Sequence, residues 1–193
     1  MSDPDTTKLK FAQELNRMLQ TTPLAQIRVV TLCRRCGTVP QTFYYHFHDK
    51  YALVAWIFLT DFASVYADQD PAFTVARITQ NLERIARHKT LYRRAYTVDT
   101  QNAINRYIQR FNVETATTAL QATTGHPATA AQILRIKYHS YGTMGLFAEW
   151  LTDTGNVALR DLATLQYQQA PAFLKRAYAA YPFTKNDLFK RPL

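Results

Sequence analysis

Residues 33–36 read CRRC, and residues 37–53 read GTVPQTFYYHFHDKYAL. Two chemistries are open to side chains of these types at this spacing. The first is thiol chemistry. A redox pair of the thioredoxin type follows a strand, and no stretch of alternating polarity here is long enough to make one. Structural zinc takes four ligands. The chain has 2 cysteines in all, and His46 and His48 lie across a turn from them. Cys33 and Cys36 therefore read as small helix residues, at least one packed inward, and a disulfide is not expected in a cytoplasmic protein. The second chemistry is recognition of a base edge. Glutamine can make paired hydrogen bonds to adenine, and threonine can touch a thymine methyl; Gln41 and Thr42 stand side by side. Elsewhere we find no nucleophile with a base at motif spacing, no phosphate loop, no metal set and no cofactor motif. No enzyme activity is expected.

The elements that would position these residues are helices. A first helix is predicted over 6–20, with Leu9, Phe11, Leu15, Met18 and Leu19 on its apolar face and Thr21, Thr22 and Pro23 ending it. A short helix over 29–35 stops at Gly37. A second short helix over 40–47 has Pro40 in its first turn, where a missing N–H costs nothing. Asp49 then caps a long helix over 50–66. Two short helices joined by a tight, glycine-containing turn describe a helix-turn-helix, in which the first helix braces across the phosphate backbone and the second enters the major groove. Phe43 and Phe47, four apart, share a face and are assigned inward with Leu15 and Leu32. Gln41, Thr42, Tyr45 and His46 are left towards the groove, and Tyr44 and Lys50 towards phosphates, which position without specifying. The same pattern also describes an aromatic-rich core helix, and residue types alone leave both readings open.

The remaining chain continues as helices. Asp70-Pro71 reads as a cap and first turn, followed by Val75, Ile78, Leu82 and Ile85 at helical spacing. The basic stretch 84–94 reads as a solvated face, with a second nucleic-acid surface as the other reading, and a short helix runs through Tyr96. Ile104, Ile108 and Phe111 mark a helix ending at Gly125 and Pro127. Further helices are predicted over 129–151, closed by Gly155, then over 157–169 and 172–181, with an irregular tail after Pro182. At 193 residues and 47% hydrophobic content the chain can bury a core without disulfides. The net charge is +9, but residues 1–50 hold 7 Lys/Arg against 4 Asp/Glu, so +3 sits there and the rest is diffuse. Such a balance fits a polyanionic partner. No apolar run approaches the roughly 18 residues of a membrane span, and the N-terminus lacks the apolar core of a secretory signal. A cytoplasmic location with no membrane partner is expected.

Residues 27–53 resemble the N-terminal signature of the TetR family of bacterial transcription regulators. Ile27, Val29, Leu32, Gly37, Thr42, Phe43, Tyr44, His46, Phe47, Lys50 and Leu53 stand at the matching places without a gap. The run TFYYHF, followed by Asp49, Tyr51, Leu53, Trp56 and Ile57, is most similar to the subgroup typified by the regulator of dihydroxyacetone kinase operons. Segments YHSYG at 138–142 and EWL at 149–151 extend that similarity more softly. The resemblance implies an all-α chain with an N-terminal three-helix helix-turn-helix DNA-binding domain (1–48) and a larger helical effector-binding and dimerisation domain (49–193). It implies a homodimer on a palindromic double-stranded operator. The last two long helices would form the dimer bundle, with Gly142 and Gly145 admitting a neighbouring helix of the same chain or of a partner.

The resemblance also implies an effector, either a small molecule or a coregulator protein. Tyr92, Tyr96, Tyr107, Phe111, Tyr138, His139 and Tyr141 are the candidate pocket, with plain core as the other reading. Two departures from the signature bear on the DNA-facing set. Arg28 replaces the threonine that caps the first short helix, and a cation there can meet a phosphate. Val39 cannot cap the second, so Thr38 is expected to start it one residue earlier. The candidate DNA-binding set is then Arg28, Thr38, Gln41, Thr42, Tyr44, Tyr45, His46 and Lys50. The competing expectation is a protein of the same fold that acts mainly through a protein partner, with weak or no DNA binding of its own.

Overall fold

A computed structural model describes residues 4–96, 104–154 and 157–189. Among them are eleven α-helices: α1 (Pro4–Met18), α2 (Val29–Arg35), α3 (Pro40–His46), α4 (Lys50–Tyr66), α5 (Val75–Arg87), α6 (Lys89–Tyr96), α7 (Ile104–Thr124), α8 (Ala130–Thr152), α9 (Leu159–Gln169), α10 (Ala172–Ala180) and α11 (Lys185–Phe189). The described residues form no strand beyond one isolated bridge between Ala67 and Phe183. No described helix is long and apolar enough to cross a membrane.

Helix α4 is the axis of the molecule. All residues of 52–59 are buried, which marks a helix wrapped on every side rather than one with a solvent face. At its start Asp49 Oδ1 accepts from the backbone N–H groups of Tyr51 and Ala52, both at 2.8 Å, satisfying two of the helix's orphan donors. Along its length α4 meets α1, then α5, α7 and α11. One rigid element therefore runs from the small N-terminal unit, α1–α3, into the larger helical body.

The turn between α2 and α3 is set by Gly37. Its φ of +65° lies in the left-handed region that only glycine enters cheaply. Thr38 N–H donates to Cys33 O at 2.9 Å and Gly37 N–H to Arg34 O at 3.2 Å, the paired closure of a Schellman motif. Thr38 thus finishes α2 and does not start α3. The residue before α3 is Val39, with no side-chain cap, and Arg28 likewise precedes α2 without capping it.

Other boundaries differ from the sequence expectation for local reasons. Leu9 is 46% exposed, because it lies two residues, about 200° of helix, from Phe11. Helix α5 begins at Val75, not after Asp70-Pro71, since Thr74 Oγ1 accepts from Arg77 N–H at 3.2 Å and outcompetes the earlier cap. Residues 70–73 instead border a cavity. Helix α8 opens with a full capping box, Thr129 with Gln132, and closes through Asp153 in the left-handed conformation; Gly155 lies outside the described residues. Residues 183–189, expected to be irregular, are held by Asp68 N–H donating to Phe183 O at 2.7 Å and by α11, whose Leu188 is fully buried.

Candidate nucleic-acid interface and inner cavity

The geometry of α3 follows from which aromatic rings find partners. Phe43 is fully buried and meets Phe11 of α1 edge-on, centroids 5.2 Å apart. Phe47 is 2% exposed and meets Trp56 of α4 at 6.0 Å. Edge-to-face pairs of this kind add about 0.5–1.5 kcal/mol beyond burial. They pin α3 to both neighbours and leave the other face bare. Tyr45 is 82% exposed and Tyr44 57%. Gln41 is exposed, and Thr42 and His46 are half-buried. Tyr44 leans edge-on against Phe43, and His46 edge-on against Tyr45 at 5.0 Å. The His46 imidazole is held below its usual pKa by burial, then by the nearby Lys8 ammonium. Its ring is therefore neutral at pH 7, able to donate at one nitrogen and accept at the other.

Three other members of the predicted set lie off α3. Arg28 is exposed at the start of α2. Thr38 is half-buried in the turn, its backbone N–H engaged as described. Lys50 is bound inward. Its ammonium donates to the carbonyls of Ala25 and Ile27, both at 2.9 Å, and burial lowers its pKa against the pull of Asp49. Two of its three N–H groups thus brace the segment leading into α2. Arg34 is exposed on α2, four residues after the exposed Val30, and is a cation outside the predicted set. Cys33 is buried and Cys36 half-buried, both free. Burial raises both thiols, Cys36 to about 11 with help from Glu14, so neither is a reactive thiolate at neutral pH. No cluster of three metal-ligating side chains occurs among the described residues.

The larger body holds a partly open cavity of about 140 Å³ at the far end of α4. Its wall includes Phe62 and Tyr66 of α4, Asn81 of α5, Phe111 of α7, His139 of α8 and Tyr178 of α10. Of the seven side chains picked from sequence, Phe111 and His139 reach it. Tyr92 is fully buried elsewhere, its hydroxyl donating to Asp61 Oδ2 at 2.8 Å; burial and the Asp61 carboxylate push that hydroxyl's pKa well up. Tyr107 is buried outside the cavity wall. Tyr96 and Tyr141 border a shallow groove between α7 and α8, where burial pushes Tyr96 up to about 12. Tyr138 is 83% exposed. Phe62, Asn81 and Tyr178 line the cavity outside the predicted set, although Phe58, Phe62 and Tyr66 repeat every four residues along α4 and signal an aromatic face.

Part of the basic stretch 84–94 is structural. Lys89 pairs with Asp153 and lies over the Trp150 ring at 4.9 Å, and Arg94 Nη2 donates to Gln20 O at 3.2 Å, tying α6 to the turn after α1.

No family model matches the sequence, and no curated protein sequence does. Among solved structures, the dihydroxyacetone kinase operon activator DhaS superposes with a TM-score of 0.56 over 88% of this chain and 95% of its own, at 18% identity. The fold is TetR-like. At that identity the likeness is one of architecture. In the TetR-like frame, α1–α3 form the small N-terminal unit and α4 joins it to the body that holds the cavity.

Proposed function

We propose that the chain is a dimeric, sequence-specific DNA-binding transcription regulator controlled by an effector. One observation carries this reading: Phe43 of α3 and Phe47, the extended residue that ends it, are buried while Gln41, Tyr44 and Tyr45 of α3 are exposed. A helix-turn-helix needs this division, a greasy anchor behind and a polar rod in front that fits a groove about 12 Å wide. Gln41 would read a base, His46 and Thr42 would assist, and Tyr44, Tyr45, Arg28 and Arg34 would meet backbone. The fold neighbour, an operon activator by its name, supports the transcriptional reading.

Pairing is supported by the outer face of α8. Ala131, Leu134, Tyr138, Tyr141, Gly142 and Gly145 are all exposed and form one helical stripe of about 21 Å, bordered by the exposed cations Arg135 and Lys137. A Cβ placed on Gly142 or Gly145 would meet nothing within 4 Å among the described residues, so neither glycine makes room for a described element of its own chain. A second copy on that stripe would set two α3 helices on a two-fold axis and read a palindrome with half-sites about 34 Å apart. Effector control would pass along α4, whose last turns line the cavity and whose first turn follows α3.

The test is selection from random duplex pools by the purified chain, with and without cell extract, followed by gel shifts. A palindromic site is expected, and Gln41→Ala should relax preference at one position by about 1–3 kcal/mol. Selection of DNA only when extract is present would favour the partner-dependent alternative. No enrichment in either arm would refute the proposal.

A further inference from the structure

Val39 serves neither the core nor a cap. It is 59% exposed, it directly precedes α3, and its side chain makes no cap hydrogen bond. Serine or threonine would supply one there; valine forfeits it. A lone exposed valine is ordinary on a protein surface. What distinguishes this one is how firmly it is held and where. Pro40 follows it, and the residue before a proline is confined to extended backbone; Val39 lies there, at φ −105° and ψ 157°. Its carbonyl accepts from Thr42 N–H at 3.0 Å. Branching at Cβ stiffens its χ1. The two methyl groups therefore stand on a nearly fixed base, and covering them costs little further entropy.

The surrounding charge says what can cover them. Residues 15–48 contain four arginines and no aspartate or glutamate. Arg17 and Arg35 pair with Glu14, while Arg28 and Arg34 are exposed at the two ends of α2. A polyanion can approach such a face closely. Duplex DNA is a polyanion that also carries an apolar group at a fixed place, the C5 methyl of thymine on the wall of the major groove. In a helix-turn-helix the first residues of the second helix are those that meet base edges. Val39 stands two residues before Gln41 and three before Thr42, at that end of α3. Val30, 63% exposed, lies instead on α2, the helix that braces across the backbone.

We propose that Val39 is a specificity-determining residue that reads a thymine methyl group in each half-site of the operator. This rests on the regulator reading, and the test separates the two. The operator recovered from random duplex pools is rebuilt with uracil in place of thymine, one position at a time. Uracil pairs as thymine does and lacks only the C5 methyl. Gel shifts then compare the full chain with Val39→Ser and Val30→Ala. At one thymine the unaltered chain should lose about fourfold in affinity for each half-site changed, the worth of one buried methyl group. Val39→Ser should bind the thymine and uracil duplexes equally, and Val30→Ala should keep the difference. Serine also supplies a cap, so Val39→Ser should melt no lower than the unaltered chain, and its loss of preference does not come from unfolding. Uracil tolerated at every position would overturn the proposal and leave the regulator reading standing. So would a methyl preference that survives in Val39→Ser, which would assign the methyl to another side chain, Thr42 among them. Pools that yield no DNA, with or without extract, would refute both.

Discussion

Replacing Lys50 by methionine separates two roles that a basic residue after a recognition helix can play. In one, its ammonium neutralises a phosphate. In the other, it holds the protein together. The geometry favours the second, with Nζ 2.9 Å from both Ala25 O and Ile27 O. Lys50→Met keeps the stem that covers neighbouring apolar surface and removes only the charge and its bonds. A hydrogen bond from a charged group contributes about 1.5–3 kcal/mol when shielded, whereas one facing solvent contributes about 0–1 kcal/mol. The bond to Ile27 is half-buried and that to Ala25 exposed. Part of their gain is offset by desolvation of the ammonium, the same cause that lowers its pKa. The expected net loss is about 1–2 kcal/mol, read as a lower urea midpoint at unchanged slope. DNA affinity, measured where the variant is fully folded, should fall modestly through looser placement of α2. The slope of log affinity against log salt should not change, because no phosphate contact is lost. Had Lys50 been a phosphate ligand, the slope would flatten by about one counterion per protomer. A flattened slope with an unchanged urea midpoint would refute the bracing role.

Three further outcomes follow from the same structure. Phe47→Ala removes a ring that is 2% exposed and wedged against Trp56; unfolding by urea should show a loss of about 3–5 kcal/mol. Tyr138→Glu places a charge in the middle of the exposed α8 stripe; light scattering should report a shift from dimer to monomer, with little change in the helical signal at low temperature. His139 has a folded-state pKa below its unfolded value near 6.5. The unfolded chain therefore takes up the proton first, and the stability this group contributes is present above about pH 6.5 and is lost as pH falls through the folded value. Melts of the unaltered chain and His139→Gln between pH 8 and 5 should differ by a constant above pH 7, with the unaltered chain losing ground to the variant below it.

The sequence carried the small unit well and the inner wall of the large one poorly, for a physical reason. In 27–53 the informative residues are neighbours in the chain. Gly37 must take a positive φ, Pro40 must sit in a first turn, and Phe43 and Phe47 must share a face; each constraint is local, so the pattern alone orients α3. Long-range bonds escape this kind of reading. Nothing local says that Lys50 turns back 25 residues to Ala25 O, or that Tyr92 gives its hydroxyl to Asp61, 31 residues earlier. Residue type alone points both towards a ligand, whereas their partners are a backbone carbonyl pair and a buried carboxylate. The cavity is the extreme case. Its wall draws on α4, α5, α7, α8, α9 and α10, and only Phe111 and His139 were found in advance. Aromatic side chains at helical spacing show that a face is buried, not whether its rings close on one another or leave a space. That difference depends on how six helices meet. The wall that results is mixed, with Asp70, Arg77, Asn81, His139 and Gln166 set among the aromatic rings, and no single helix's periodicity carries that mixture.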